Sequence, residues 1–346
     1  MNKIRLIAIL LCLVLLCGCT QMPKDTVPSS TASQPTEPSG DGYEEKYHLS
    51  NPNATVEAQI LYDYLCELPG SGVLSGQQES TWMGSPDYEI NYVHDNTGKY
   101  PAIRGLDYMH DDFTGVNRRA IEWWNKGGIV TIMWHTGCDF YGEWADCMAD
   151  EITDWDAVLT EGTEEYEAFV AGMDKAAKAL LELQEAGVPV LWRPFHEFDG
   201  QWFWWGKGGS ANFVKLWQLM YDRYTNHWGL NNLIWVLPYS GNGSGYGRWY
   251  PGDEYCDIVG ADSYNGGVQD RLYKLVDIVC DTKPHCFHEC GTNPTAEDFQ
   301  KTHWIWFMTW HTSHITDNND PAALKELYNS DYVITLDELP NLKLEG

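Results

Sequence analysis

Eight short runs with β-strand character recur along this chain of 346 residues. They are Val73 to Gln77, Ala102 to Leu106, Ile129 to Trp134, Val188 to Trp192, Leu233 to Leu237, Ile258 to Ala261, Cys286 to Glu289 and Trp304 to Trp310. Strand alternating with helix eight times favours a parallel sheet that closes on itself, the (β/α)8 (TIM) barrel of the α/β class. An open doubly wound sheet is the alternative, but no Gly-x-Gly-x-x-Gly follows the first run.

Amphipathic stretches with helical periodicity separate most of these runs. The clearest are Asn117 to Asn125, Glu165 to Ala186, Ala211 to Trp228, Asp270 to Cys280 and Pro321 to Tyr328. No internal repeat and no second linker interrupt the patterning between Tyr43 and Gly346. Residues 43–346 are therefore predicted to form a single catalytic domain.

The first residues have a different composition. Basic residues precede an apolar stretch from Leu6 to Leu16 that is too short to span a membrane and is typical of a secretory signal. The stretch ends in Leu16-Cys17-Gly18-Cys19, which resembles a bacterial lipobox, although Cys17 stands where a small residue is usual. We predict a lipoprotein-type signal peptide over residues 1–19 with Cys19 as the lipidated residue, and an ordinary signal peptide is the alternative.

Residues 20–42 are rich in Ser, Thr, Pro and Gly and contain no aromatic side chain. Such a segment cannot bury enough apolar surface to fold and is predicted to be a flexible stalk. A lipid on Cys19 would hold the domain at the extracellular face of a bacterial cell membrane, and without the lipid the protein would be secreted. In an exported protein Cys138 and Cys147, which flank one loop, are candidates for a disulfide.

The charge of the chain narrows the class of partner. It has 22 basic and 50 acidic residues, a net charge of −28. Such a surface repels nucleic acids and other anionic polymers, whereas a neutral polysaccharide is unaffected by it. Nucleic-acid binding is therefore not expected.

Polar and aromatic side chains stand at the C-terminal ends of the predicted strands. They include Gln77, Gln78, Asp107, His135, His196, Glu197, Tyr239, Asp262, Tyr264, Glu289, Trp310 and His311. In a (β/α)8 barrel the loops after the strands meet on one face, and that face carries the active site. Because Glu197 ends the fourth run and Glu289 the seventh, the two glutamates are expected to face each other across the barrel mouth.

Two carboxyl groups that converge beside aromatic rings are what the cleavage of a glycosidic bond requires. In a retaining glycosidase they lie about 5–5.5 Å apart, one acting as acid and the other as nucleophile. Aromatic faces bind sugar rings, and the predicted platforms in the loops of this face are Trp202, Trp204, Trp205 and Trp310. The predicted core tryptophans, which follow helical or strand patterning, are Trp123, Trp124, Trp217 and Trp235.

Several motifs together resemble those of family 26 glycoside hydrolases, which are typically secreted β-mannanases of a retaining (β/α)8 clan. The matching text includes Gly72-Val-Leu-Ser-Gly-Gln77, Trp192-Arg-Pro-Phe-His-Glu197, Asp257-Ile-Val-Gly-Ala-Asp262 with Tyr264, and Trp306-Phe-Met-Thr-Trp310. The resemblance covers most of the predicted domain. It departs from the family at Cys290, where Glu289 is more often followed by Leu-Gly or x-Gly.

The resemblance implies a role for each matching residue. Glu197 matches the general acid/base and Glu289 the nucleophile. The side chains that match sugar-binding or orienting residues are His135 and His196 at the cleavage point, Trp202 on the leaving-group side, Tyr264 beside the nucleophile, and Trp310 under the sugar that becomes attached. Where some mannanases carry an arginine for the next sugar outward, this chain has His311.

The sequence thus predicts a monomeric, retaining endo-β-1,4-mannanase that acts on mannan, galactomannan or glucomannan and needs no cofactor or metal. One alternative keeps the machinery but acts on mixed-linkage β-glucan or β-1,3-xylan. Another is a non-catalytic glycan-binding protein at the cell surface. A zinc cluster on the strand from His285 to Cys290 is not expected, because its His and Cys residues alternate between two faces and match no common zinc spacing.

Overall fold

Parallel strands pair in sequence order around a closed barrel in the computed structural model, which describes residues 46–266 and 269–344. The strands are β1 (Val73–Gln78), β2 (Ile103–Asp107), β3 (Ile129–Met133), β4 (Val190–Arg193), β5 (Leu233–Tyr239), β6 (Ile258–Ser263), β7 (His285–Cys290) and β8 (Trp306–Thr309). Closure follows because β1 pairs with both β2 and β8. A short strand, β9 (Val333–Ile334), adds to the start of β1.

Of the helices, one precedes β1, and the others lie between the strands or after β8. They are α1 (Val56–Cys66), α2 (Tyr88–Thr97), α3 (Phe113–Asn125), α4 (Trp144–Ala149), α5 (Trp155–Leu159), α6 (Glu164–Glu185), α7 (Trp204–Lys207), α8 (Ser210–Asp222), α9 (Gln269–Val279), α10 (Ala296–Lys301), α11 (Ser313–Thr316) and α12 (Pro321–Tyr328). Local sequence explains several starts: Thr163 accepts a hydrogen bond from the Tyr166 amide at α6, and Asp320 does the same for two amides of α12. No helix within the described ranges has both the length and the apolar character needed to span a bilayer.

The predicted (β/α)8 fold is confirmed, and the strand limits differ from the predictions by a few residues. Strand β4 begins at Val190, whereas the prediction begins it at Val188, and β8 begins at Trp306, whereas the prediction begins it at Trp304. The predicted helix from Ala211 to Trp228 is α8, followed by a π-helical turn over Arg223–His227. The predicted signal peptide (1–19), the lipidation site Cys19 and the stalk (20–42) lie outside the described residues.

The core fills the barrel and the layer between sheet and helices. Trp123, Trp124, Trp217 and Trp235 are buried there, as their periodicity predicts. The suggested disulfide between Cys138 and Cys147 is wrong: all the cysteines in the described part of the chain have free thiols. Cys138 is half-buried and its amide donates to Asp150, so the loop is held by a hydrogen bond instead.

Glycine at position 260 lets β6 and β7 approach closely. A Cβ atom there would lie 2.3 Å from the sulfur and 2.8 Å from the carbonyl oxygen of Cys286. Gly260→Ala is expected to destabilise the fold by about 1–3 kcal/mol, because the buried strands must separate. Urea unfolding measures the loss. Gly247→Ala is the control, since a Cβ there meets nothing within 4 Å, and equal midpoints for the two variants would contradict this account.

Candidate active site

The loops at the C-terminal ends of the strands enclose a cleft of about 790 Å³. Most of the side chains that the sequence singles out as catalytic or sugar-binding line it, and the exceptions are Trp204 and Trp205. The cleft also includes residues that the sequence patterns do not identify, among them Trp82 after β1 and Trp144 after β3. Both tryptophans are exposed: Trp82 lies in a loop and Trp144 begins the short helix α4. No periodicity distinguishes a binding residue from a solvated one at such positions.

The loop after β4 turns Glu197 into the cleft. Phe195 and Glu197 have φ values of 50° and 54°, in the left-handed region that residues other than glycine rarely adopt. The Glu197 amide donates to the carbonyl oxygen of Pro238 on β5 at 3.1 Å, which holds the loop in this conformation. Strained backbone of this kind is concentrated at functional sites because the surrounding structure must stabilise it.

The carboxyl group of Glu197 is enclosed, although the residue is partly open to the cleft. Burial, and then the negative charge of Glu289, raise the pKa of Glu197 to about 8. The Trp202 indole N–H donates to its Oε2 at 3.1 Å. The Trp202 ring lies over Gly200, where a Cβ would come within 2.0 Å of it. Glu197 is therefore a protonated acid at neutral pH, with an aromatic ring beside it.

Glu289 lies near the end of β7, in a segment where the pairing with both neighbouring strands is irregular. The register shifts by one residue between Phe287 and Cys290, which marks a β-bulge. A bulge redirects the side chain that follows it. Glu289 accepts a hydrogen bond from the Tyr264 hydroxyl at 2.5 Å. It also forms an ion pair with Arg193, with a distance of 2.7 Å between nitrogen and oxygen. Tyr264 supplies a hydrogen-bond donor and Arg193 a positive charge, and both interactions favour the charged form of a carboxyl group.

Glu197 and Glu289 lie close together. One oxygen from each of them and one from Asp262 all lie within 4.8 Å of one another. Inverting glycosidases place their carboxyl groups about 6.5–9.5 Å apart to admit a water molecule, whereas retaining enzymes hold them at about 5–5.5 Å. The separation here matches direct attack by a carboxylate.

Arg193 is the cation that makes this crowding of acids possible. It is fully buried and pairs with both Asp262 and Glu289. Burial alone would lower the pKa of Arg193, but these carboxylates raise it overall. Asp262 also accepts a hydrogen bond from the Glu289 amide at 3.1 Å. Sequence reasoning gave Arg193 no role, although a buried carboxylate pair requires a buried positive charge.

His135 is oriented by Asp107 at the end of β2. Its Nδ1 lies 2.6 Å from an Asp107 oxygen, and its backbone amide donates to the other at 3.0 Å. Burial alone would raise the pKa of Asp107, but these donors lower it overall, so Nδ1 carries the shared proton. The His196 ring stands edge-on to His135 at 4.5 Å, and burial together with the Arg193 charge holds the pKa of His196 well below its usual range.

Trp310 and His311 continue the cleft beyond Tyr264. Trp310 is half-buried and its ring stands edge-on to Tyr264 at 6.5 Å. The His311 ring lies 4.6 Å from Trp310, and burial lowers the pKa of His311 to about 4. His311 is therefore neutral at pH 7 and cannot supply the charge that an arginine would bring.

Two of the four predicted sugar platforms are wrong. Trp204 and Trp205 are fully buried, and they pack under the loop that carries His196 and Glu197. The Trp204 indole donates to the Thr136 carbonyl at 2.8 Å, and the Trp205 indole donates to the His196 carbonyl at 2.7 Å. They support the site from below, whereas Trp202 and Trp310 line the cleft.

Within residues 46–266 and 269–344, Glu197, Asp262 and Glu289 form the one group of three acidic, histidine or cysteine side chains arranged closely enough to hold a metal ion. The Arg193 guanidinium already pairs with two of its members. A second cation there would be repelled by that buried charge. The geometry thus suits proton and covalent chemistry by carboxyl groups.

A closed (β/α)8 barrel with two converging glutamates at its mouth is an arrangement that suits a glycoside hydrolase. A model of glycosyl hydrolase family 26 matches residues 50–338, and the chain belongs to this family. GH26A from Muricauda sp. superimposes with a TM-score of 0.79 at 37% identity, which covers 84% of this chain and 99% of that chain. A β-mannanase from a symbiotic protist of the termite Reticulitermes speratus, complexed with gluco-manno-oligosaccharide, has a TM-score of 0.77 at 28% identity and covers 86% and 99%.

Curated relatives are similar over much of this chain. A mannan endo-1,4-beta-mannosidase of Thermothelomyces thermophilus is 38% identical over 316 residues, which cover 84% of this chain and 63% of that protein. The chain spans 51–63% of the length of the curated relatives that it matches at 31–38% identity.

The raised pKa of Glu197 predicts a pH-dependent effect on stability. The folded protein holds this proton up to about pH 8, whereas the unfolded chain releases it near the ordinary value. The resulting stabilisation is complete below the unfolded pKa and is lost as the pH rises through the folded pKa. Glu197→Gln keeps the neutral form. The free energy of unfolding of Glu197→Gln minus that of the unmodified protein should therefore become more positive between about pH 5 and about pH 9.

Urea unfolding at the two pH values measures this difference. Glu185→Gln, at the exposed end of α6, is the matched control and is expected to show no such trend. A pH-independent difference for Glu197→Gln would mean that the carboxyl group is ionised in the folded protein.

Proposed function

We propose that this protein is an endo-acting β-1,4-mannanase that hydrolyses mannan, galactomannan or glucomannan with retention of configuration. The observation that carries the proposal is the pair Glu197 and Glu289, whose oxygens approach within 4.8 Å while their surroundings differ. One carboxyl group is kept protonated by burial and the other is held by Arg193 and Tyr264. Opposite protonation states are what double displacement requires at the start of the reaction.

The geometry accounts for both steps. Glu289 attacks the anomeric carbon and forms an ester, while Glu197 transfers its proton to the departing glycosidic oxygen. Once the leaving sugar has diffused away, the Glu197 carboxylate removes a proton from a water molecule. That water attacks the same carbon, breaks the ester and frees Glu289, and Glu197 is again protonated. The charge on Arg193 stabilises the Glu289 carboxylate in the resting enzyme and when it departs.

The remaining cleft residues serve to bind the sugar. Trp310 provides an apolar floor beside Tyr264, where the attached sugar would lie. Trp202, whose indole N–H donates a hydrogen bond to Glu197, would contact the leaving sugar. His135 and His196 present ring nitrogens at the cleavage point. Mannan as the substrate is supported by relatives named mannan endo-1,4-beta-mannosidase and by the relative complexed with gluco-manno-oligosaccharide.

We also propose that the protein works as a monomer, lipid-anchored through Cys19 at the extracellular face of a bacterial cell membrane. One chain supplies the catalytic pair and the aromatic rings around it. The net charge of −28 is compatible with a neutral polysaccharide and disfavours nucleic acid.

The test of the mechanism is the stereochemistry and the site of covalent attachment. Mannan hydrolysis should first release product with the β configuration, observable by NMR before mutarotation. A 2-fluoro mannosyl inactivator with a good leaving group should form an ester on Glu289, located by peptide mass spectrometry. Glu289→Ala should lose about four orders of magnitude in turnover because no other nucleophile is in place.

Glu326→Ala, on the exposed side of α12, is the control and should retain full turnover. Inverted product, or a label on another carboxylate, would contradict the mechanism. Faster turnover of mixed-linkage β-glucan or β-1,3-xylan than of mannan would contradict the substrate. No turnover of any glycan, with binding retained, would favour a glycan-binding protein.

The proposed anchor is tested by cell fractionation. Cys19→Ser should move the protein from the membrane fraction to the soluble fraction without loss of activity, because the lipid is attached outside the folded domain. Cys17→Ser is the matched control and should stay with the membrane. Unchanged membrane association of Cys19→Ser would contradict the lipobox interpretation.

A further inference from the structure

Trp82 is an exposed tryptophan at the rim of the cleft. It lies in the loop after β1, and 51% of its surface is exposed. Its ring contacts His311 edge-on, with centroids 4.9 Å apart, and both side chains line the cleft. His311 in turn packs on Trp310. The rings of Trp310, His311 and Trp82 therefore form a continuous aromatic array that leads away from Tyr264 and Glu289.

The two loops that carry this array are tied together by one side chain. Glu89, in the first turn of α2, is completely buried. Its Oε1 accepts from the Ser80 hydroxyl at 2.7 Å and from the Thr312 amide at 2.9 Å. Its Oε2 accepts from the Ser80 amide at 3.1 Å. Ser80 is two residues before Trp82, and Thr312 follows His311 directly.

These contacts replace a counter-ion. None of the ion pairs found in the described part of the chain involves Glu89. A buried carboxylate is unfavourable unless hydrogen bonds or a cation stabilise it, and here two amides, one hydroxyl and the N-terminal end of α2 do so. Thr312 has a φ of 55°, which a threonine rarely adopts, and its amide is one of the donors. Glu89 therefore holds both loops in one arrangement.

We propose that Glu89 is a positioning residue, which fixes the contact between Trp82 and His311 so that the two rings form a wall for the sugar beyond the one at Trp310. This role rests on the proposed function, since it names a binding position for the same substrate. Glu89 itself does not touch the sugar. Its effect is confined to substrates long enough to reach the wall.

Glu89→Gln keeps the shape of the side chain but removes its negative charge and one of its two accepting oxygens. An amide has one accepting oxygen and a nitrogen that donates. If the nitrogen takes the place of Oε2, it faces the Ser80 amide, and if it takes the place of Oε1, it faces the Thr312 amide. Either arrangement puts two donors against each other, so one of the two loops must move.

The first measurement is a crystal structure of the full chain carrying Glu89→Gln. We expect displacement of the loop at Ser80 or at Thr312 and loss of the 4.9 Å contact between Trp82 and His311. Glu326→Gln is the matched control and should leave both loops in place. Unchanged loops with the ring contact intact in Glu89→Gln would overturn the positioning role, whether or not the protein hydrolyses mannan.

The second measurement distinguishes an effect on sugar binding at the wall from an effect on the reaction at Glu197 and Glu289. Glu89→Gln and Trp82→Ala should each raise KM for mannan about five- to tenfold while kcat changes less than about twofold. Dinitrophenyl β-mannoside reaches only the sugar position next to Glu289, so its kcat/KM should be unchanged within about twofold. A general loss of structure would lower both parameters on both substrates.

Trp82→Ala keeps the test decisive if Glu89→Gln does not fold, because Trp82 is exposed. An unchanged KM for mannan in Trp82→Ala would overturn the sugar-binding wall, as would parallel losses on mannan and the aryl mannoside. A native protein inactive on mannan would contradict the proposed function instead, and binding of manno-oligosaccharides to Trp82→Ala by calorimetry would then decide whether the wall exists.

Discussion

The active site depends on one buried cation. Arg193 lies at the end of β4 with no exposed surface and pairs with Asp262 from β6 and Glu289 from β7. Three acidic side chains within 4.8 Å would repel one another in a region from which water is largely excluded. One guanidinium pairs with two of them, and burial raises the pKa of the third, Glu197, to about 8. Removal of Arg193 would leave uncompensated buried charge, which costs about 3–5 kcal/mol in proteins.

The backbone near this cation is irregular where Glu197 and Glu289 leave it. Phe195 and Glu197 have positive φ values, and β7 contains a bulge beside Glu289. Such features are less stable than regular strands, and the well-packed surroundings keep them in place. Trp204 and Trp205 contribute here, since both are buried and the Trp205 indole bonds to the His196 carbonyl directly before Glu197. The apolar core thereby fixes the direction of the Glu197 side chain.

Carboxyl groups outside the pair Glu197 and Glu289 have a second use in this fold. Asp107 selects the tautomer of His135, and Glu89 joins the loops after β1 and β8. Each accepts several hydrogen bonds from groups that come from different elements. A short acidic side chain at a strand end or in a first helical turn can do this because its two oxygens accept in several directions. Hydrogen bonds to these two carboxyl groups thus help to shape the cleft.

Much of the fold could be read from the chain, because buried parallel strands are short apolar runs and the helices between them follow a period of 3.6 residues. The predicted order of strands and helices also put Glu197 and Glu289 at the C-terminal ends of two strands. In a barrel these ends meet on one face. The sequence by itself could not separate Trp202 from Trp204 and Trp205. Tryptophans so close together in the sequence have the same local pattern, and only packing decides which ring is buried. The partners of Arg193 and Glu89 come from distant elements, so their pairing is a property of the tertiary structure alone.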